Sequence, residues 1–456
     1  MKSTNRVAKT MLTATASLSL LILSSCGSNE YKKEEGNKSK QVTSILKNNG
    51  CMECHSATAA KPFYVDFPII GKTVQKDIIE GIRYVDLTAM VEALQNGKPT
   101  TEVDLTKVEY ATLGDKMPPA KYTAIHWGTS LDSEEKAIII DWAKETRSAH
   151  FKSNSVAAEF SNEPLQPLDV IETNPLKVAL GNKLFHDTRL SADNTVSCAT
   201  CHGLNTGGVD RLQFSEGING QFGGVNAPTV YNSALNFVQF WDGRAADLKE
   251  QAAGPPLNPI EMGHTSFDNI VAALALDDAF TKEFNAVYTE GLSQSSITDA
   301  IAEFEKTLLT PSRFDKYLQG DKKALTTDEI AGYDIFKRND CASCHVGINI
   351  GGQSYEYMGI KENYFDYRGT GLTDGDNGRY SVTKNEADRH RFKTPTLRNI
   401  AITYPYMHDG SVETLEEAIK HMHTFQIGKE INEIEMGQLT DFLNTLTGKY
   451  NGELLN

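Results

Sequence analysis

Beyond its first 25 residues the chain has no apolar run long enough to span a bilayer, which excludes a body built within the membrane and leaves one expected to be soluble. Positive charge is in deficit as well. Against 60 Asp and Glu stand 45 Lys and Arg, and the net charge of −15 argues against nucleic acid as a partner. Strand signals are sparse, so the expected fold class is mainly α. Cysteine is scarce too, with 7 in 456 residues, and only one of the 7 lies outside a single repeated pattern.

That pattern is Cys51-Met52-Glu53-Cys54-His55, Cys198-Ala199-Thr200-Cys201-His202 and Cys341-Ala342-Ser343-Cys344-His345. Three copies far exceed chance for a chain this poor in Cys and His. The two thiols of a Cys-x-x-Cys turn can add to the two vinyl groups of a haem, and the histidine that follows then reaches the iron as proximal ligand. Zinc and redox sites are the competing uses of such turns. Zinc sites usually pair two turns closely, and redox motifs rarely carry the trailing histidine three times. The motifs therefore read as three covalent c-type haem sites, with Cys51, Cys54, Cys198, Cys201, Cys341 and Cys344 as attachment points and His55, His202 and His345 on iron.

The remaining cysteine ends the leader. Lys2, Arg6 and Lys9 precede an apolar stretch from Met11 to Leu23, then Leu23-Ser24-Ser25-Cys26. This reads as a lipoprotein signal peptide over residues 1–25, with Cys26 lipidated; an ordinary signal with an incidental cysteine is the alternative. Residues 26–42 are polar and charged and are expected to act as a flexible tether. The expected location is the periplasm or cell envelope, anchored to a membrane by lipid.

The motifs begin 147 and 143 residues apart, which points to one haem per folding unit. The expected units are a mono-haem cytochrome domain over 43–150, a second haem domain over 151–320 and a third over 321–456. Helical segments precede each motif, at Val42–Asn48, Lys177–Phe185 and Glu329–Phe336, the last opened by the capping box Thr326-x-x-Glu329. Further helices are expected over Ser133–Thr146, with Asp132 and Glu135 as its box, and over Glu430–Leu446. In the latter, Ile431, Ile434, Leu439, Phe442, Leu443 and Leu446 form an apolar stripe. The Gly-rich stretches 203–225 and 346–391 have no clear period and are expected to be long loops wrapped around haem. Within the second, Asp374-Gly375-Asp376-Asn377-Gly378 lacks the glutamate of a calcium loop and reads as a turn.

Three segments carry a family resemblance: KLFHDTRLSADNTVSCATCH, NAPTVYNSALNFVQFWDGRAADLKEQAAGPPLNPIEMG and FKTPTLRNIAITYPYMHDGSVETLEEAIKHM. Through them the chain resembles the bacterial di-haem cytochrome c peroxidases. The extra N-terminal motif resembles the tri-haem branch, in which an added cytochrome domain feeds electrons inward. The resemblance implies a middle haem that reacts with hydrogen peroxide and a last haem that relays electrons, with Met422 as the relay iron's thioether ligand. It places Gln251 and Phe240 in the pocket above the reactive haem and Trp241 between the two haems. It also implies a calcium ion between them, on Asn226, Thr403 and Pro405, and makes a homodimer possible.

Glu261 is the candidate acid/base. It follows Pro255-Pro256-Leu257-Asn258-Pro259-Ile260, an apolar setting in which burial raises a carboxyl pKa. In the N-terminal unit, Met117 within Gly114-Asp115-Lys116-Met117-Pro118-Pro119 resembles the loop that brings methionine to iron in small cytochromes, with His126 and Met90 as rivals. One departure from the family stands out. Residues 203–263 contain no histidine to cap the reactive iron, and Ile218 occupies that position, so a resting iron open on one side is expected.

The leading expectation is peroxide reduction fed by a small cytochrome, a cupredoxin or membrane quinol. A multi-haem electron carrier without turnover is one alternative, against which Glu261 and Gln251 speak. A related di-haem oxidase acting on a protein substrate is the other; that branch uses tyrosine on the relay iron, so Met422 speaks against it.

Overall fold

A computed structural model describes residues 29–34, 36–68, 70–124, 126 and 129–456. The expected signal peptide and the lipidation site at Cys26 lie outside the described residues. Helices dominate, and among the described residues none is long and apolar enough to cross a membrane. The chain divides into two compact units, Met1–Thr146 and Arg147–Asn456.

The first unit contains α1 (Lys38–Asn48), α2 (Ile70–Tyr84), α3 (Leu87–Gln95), α4 (Glu102–Leu113) and the start of α5 (Ser133–His150). Side-chain caps at Asn37, Asp86 and Thr101 open α1, α3 and α4 by accepting from the first-turn amides. The expected box of α5 forms, with Asp132 accepting from the Glu135 amide and Glu135 from the Asp132 amide. Val42, Ile45, Met90, Leu94, Leu105, Ile139 and Trp142 share one core. The expected tether is shorter than 26–42. Asn29–Glu34 is a 3-10 turn and α1 already starts at Lys38, because Tyr31 offers a large apolar ring to this core and is only 2% exposed.

The second unit contains α6 (Pro175–Phe185), α7 (Phe267–Ala275), α8 (Asp278–Val287), α9 (Gln294–Glu305), α10 (Thr327–Arg338), α11 (Leu415–Met422) and α12 (Glu433–Asn444). Two helix pairs repeat one device. α6 packs on α9 and α10 on α12, each across a glycine. A Cβ on Gly181 would stand 1.8 Å from the Ala300 carbonyl oxygen, and one on Gly332 would stand 1.9 Å from that of Gln438. Only a bare backbone permits these crossings. The Thr326–Glu329 box opens α10 as expected. α12 is shorter than the predicted 430–446, starting from an Asn432 cap, and Ile434 in its first turn is 75% exposed. The stripe reduces to Leu439, Phe442 and Leu443, with Leu446 buried beyond the helix end.

The stretches 203–225 and 346–391 are irregular apart from short helical turns and β1 (Tyr355–Tyr357), which pairs antiparallel with β2 (Arg391–Lys393). At the chain end β3 (Lys449–Tyr450) and β4 (Glu453–Leu454) form a hairpin, and the Lys449 amide donates to the Pro311 carbonyl.

The two haem domains expected over 151–320 and 321–456 belong to one unit. Arg398, fully buried, forks onto both oxygens of the buried Asp315 carboxylate at 3.0 Å and donates to the Ile348 and Gln166 carbonyls. Asp315 also accepts from the Leu168 amide at 2.8 Å. Removing one partner leaves an uncompensated buried charge. Arg398→Met is therefore expected to destabilise the second unit by about 3–5 kcal/mol in denaturant titration, with most of the loss recovered when Asp315→Leu is added.

Candidate haem site

Each motif is wound so that the histidine folds back under its cysteines. Cys51–Cys54 and Cys198–Cys201 are single helical turns, and Cys341–Ser343 is a 3-10 turn. In every case the histidine amide donates to the carbonyl of the first cysteine, at 3.0 Å for His55 and 2.9 Å for His202 and His345. The Ser197–Thr200 capping box fixes the middle turn.

The imidazoles suit iron. His55 Nδ1 lies 3.1 Å from the Gly81 carbonyl and 3.2 Å from that of Val85, and His202 Nδ1 lies 3.3 Å from that of Gly208. A ring whose Nδ1–H donates to a carbonyl presents a bare Nε2 to a metal. The His345 ring is buried, with the Pro395 and Ile350 backbone as its polar neighbours. Burial lowers all three histidines, His345 to about 4, which keeps the rings neutral as ligands require.

Cys51, Cys54, Cys198 and Cys201 carry free thiols. Burial pushes Cys51 and Cys198 up to about 12 and Cys201 to about 11. Thiols this basic do not serve as redox thiolates, whereas a thioether needs no ionisation once made. The residues present fit covalently held haem, which they would bind through the six sulfurs and the three imidazoles.

Around the middle motif the structure brings the predicted acid together with a partner the sequence did not reveal. Burial raises the Glu261 carboxyl above its ordinary value, opposed by the Arg244 cation and by the Asn258 amide, which donates to Oε1 at 2.7 Å. Glu261 in turn raises the Cys201 thiol, which puts the acid within electrostatic reach of that haem attachment point. The Arg244 guanidinium lies 3.4 Å from the Phe240 ring centroid. Phe240 itself adopts φ 68°, a costly conformation for an aromatic residue. Gln251 is half-buried in the short helix Leu248–Ala252. Arg244 follows Phe240-Trp241-Asp242-Gly243 and also pairs with Asp242 at 3.1 Å, so nothing in that run marks it as a partner of the distant acid.

Ile218 is buried in the core that also holds Leu190, Met262 and Phe267, and its amide donates to the Glu261 carbonyl at 3.0 Å. The loop position that lacks a histidine is thus held by apolar packing against the backbone of the acid.

Trp241 ties the halves of the second unit together. Its indole N–H donates to the Asn226 carbonyl at 2.9 Å, and its own carbonyl accepts from the Lys393 amide at 2.8 Å. It packs beside Met407 and Met422 on the cluster of Met358, Tyr364, Phe365, Phe392 and Phe425. Met422 ends α11, and a π-helical turn, His423–Ile427, follows it. Such turns frequently mark functional positions.

The remaining predicted residues are distributed as follows. Asn226 is buried, with its amide nitrogen donating to the Leu212 and Gln213 carbonyls, while the Thr403 hydroxyl donates to Ile400 and Pro405 follows a cis peptide bond. Met117 is 38% exposed. Its rivals are otherwise engaged: His126 contacts the Tyr122 carbonyl and the Tyr64 hydroxyl, and Met90 lies in the core.

Asp374–Asn377 is a turn, as read, but its Asp376 is buried and was missed as an ionic centre. Asp376, His408 and Asp409 converge closely enough to hold a cation. Arg368 supplies that charge, reaching Asp376 and Asp409 at 2.7 Å each.

These motifs define a haem protein, and comparison narrows the class. Residues 175–323 match the family described as di-haem cytochrome c peroxidase, and residues 24–145 match a haem-binding domain. The chain is 46% identical over 415 residues to cytochrome c peroxidase Ccp of Escherichia coli (strain K12), covering 91% of this chain and 89% of that one. It is 46% identical over 305 residues to cytochrome c551 peroxidase of Nitrosomonas europaea, covering 66% and 88%. A crystal structure of a MauG-like protein associated with microbial copper homeostasis superposes with a TM-score of 0.56 at 29% identity, covering 63% of this chain and 94% of that one. The chain belongs to the di-haem cytochrome c peroxidase family.

Because Arg244 opposes the burial that raises Glu261, Arg244→Gln is expected to raise that carboxyl further. A base acts when ionised, so the acid limb of kcat/KM for peroxide, already above the ordinary carboxylate range, should move to still higher pH. A pH series on the two proteins checks this.

Proposed function

We propose that the protein reduces hydrogen peroxide to two waters, using two electrons carried through covalently held haems. The observation that carries this reading is Glu261, a carboxyl raised by burial and set within electrostatic reach of Cys201. Bound haem supplies the metal at which the O–O bond is cleaved and the redox levels that carry electrons.

The chain's own residues manage the proton. Glu261 takes it from one peroxide oxygen and delivers it to the other, which leaves as water. Asn258 holds the carboxylate by its 2.7 Å hydrogen bond, and Arg244 opposes the rise that burial imposes on the carboxyl. Gln251 hydrogen-bonds the peroxide, and Phe240, braced by Arg244, narrows the pocket. Trp241 lies on the electron path between the haem on His202 and the haem on His345 with Met422. A methionine at the end of α11 favours peroxidase over the protein-oxidising branch.

In this reading electrons enter at the N-terminal haem, on His55 and Met117, from a small cytochrome, a cupredoxin or membrane quinol. The protein works in the periplasm, tethered through Cys26. A calcium ion on Asn226, Thr403 and Pro405 would stiffen the segment whose carbonyl holds the Trp241 indole. The packing of Ile218 against Met262 and the Glu261 backbone favours a reactive haem that rests without a protein cap and needs no reductive opening of loop 203–225.

Two measurements test this. Glu261→Gln should lower peroxide turnover by about 10²–10⁴ with haem content unchanged, and unchanged turnover would leave an electron carrier instead. The fully oxidised protein should show one high-spin haem by paramagnetic resonance, and an entirely low-spin spectrum would overturn the uncapped resting state.

A further inference from the structure

Asp409 and Tyr364 form a pair that the peroxide reaction does not use. Tyr364 is 1% exposed, and its phenol lies 3.0 Å from each Asp409 carboxylate oxygen and 2.8 Å from the Ser411 hydroxyl. Burial alone would raise the Asp409 carboxyl, but Arg368, His408, Ser411 and Tyr364 outweigh it and hold the group ionised, below its usual range. Tyr364 is raised, by burial first and by the Asp409 charge second. A phenol therefore faces a fixed carboxylate inside the protein, the arrangement that lets a tyrosine lose an electron and its proton together.

Trp241 differs in this respect. Its N–H points at the Asn226 peptide carbonyl, which is not a base, so an oxidised Trp241 keeps its proton and remains a strong oxidant. Ring contacts lead from it to Tyr364. Trp241 and His408 are 6.5 Å apart between centroids, and His408 and Tyr364 are 6.2 Å apart. From Tyr364 the path continues through Phe425 at 5.4 Å to Tyr367 at a further 5.2 Å, and Tyr367 is 68% exposed.

We propose that Tyr364 is a redox-active residue that takes up the oxidising equivalent left on the enzyme by peroxide when no donor electron arrives, and holds it as a tyrosyl radical. The phenol O–H bond breaks; the proton forms an O–H bond on Asp409, and the electron fills the hole conducted through Trp241. Tyr364 remains as a neutral phenoxyl radical. A later donor electron and the proton from Asp409 restore it. The inference rests on the peroxidase reading.

The test uses the haem-loaded protein, fully reduced, mixed with excess hydrogen peroxide without donor and frozen for paramagnetic resonance. A tyrosyl signal near g = 2 is expected, narrowed by ring-deuterated tyrosine, lost in Tyr364→Phe and at least severalfold weaker in Asp409→Asn. Haem absorbance of each variant confirms folding. A signal that persists unchanged in Tyr364→Phe, or a wild-type signal unaffected by ring deuteration, overturns the proposal. If Tyr364→Phe fails to load haem, the Asp409→Asn signal and the deuterium narrowing decide. Donor-fed turnover in the same preparation separates the two readings: turnover without a tyrosyl signal removes only Tyr364's role, while no turnover removes the peroxidase reading itself.

Discussion

The fork of Arg398 onto Asp315 is the constraint on which the second unit depends. A guanidinium with no exposure must have its charge answered and its donors filled, and here a carboxylate and two peptide carbonyls do both. Those acceptors come from the strand of chain near 166, from the end of the middle haem segment and from the loop after the third motif. One side chain thereby fixes the segment that runs from Phe392 to Asn399, and with it the bond from Lys393 to the Trp241 carbonyl. The aromatic route between the two motif regions has its geometry because this ion pair is satisfied.

The candidate site is shaped by opposed electrostatic effects, with burial the largest. Burial favours a protonated Glu261, whereas Arg244 and Asn258 favour the carboxylate. In the proposed role, accepting and releasing a proton, both influences on the carboxyl matter. The same logic appears at Asp409, where the surrounding donors win against burial. In neither case does the apolar or the polar neighbourhood act alone.

Local features of the fold were plain in the sequence. The boxes at Asp132–Glu135 and Thr326–Glu329 announced α5 and α10, and the three motifs announced their own turns, because capping and thiol spacing act over a few residues. Glu261 was legible from the prolines that precede it. What escaped depends on distant partners. Arg398 meets Asp315 across 83 positions and Arg368 meets Asp409 across 41, and no local pattern marks either pair. Tyr31 looked like part of a solvated spacer because one aromatic among charges does not shift composition, yet its ring alone draws the segment onto the core. Ile434 matched a helical stripe and lies outside, since the register of α12 is set by the Asn432 cap and by the crossing at Gly332.

The half-buried motif cysteines carry a consequence for how the molecule is made. In the folded chain the surroundings push the Cys51 and Cys198 thiols up to about 12, which disfavours the thiolate. Attachment is then easier before compaction, on a chain that is still open. The native core is an outcome of cofactor insertion, and a chain that folds too early closes its own door to the cofactor.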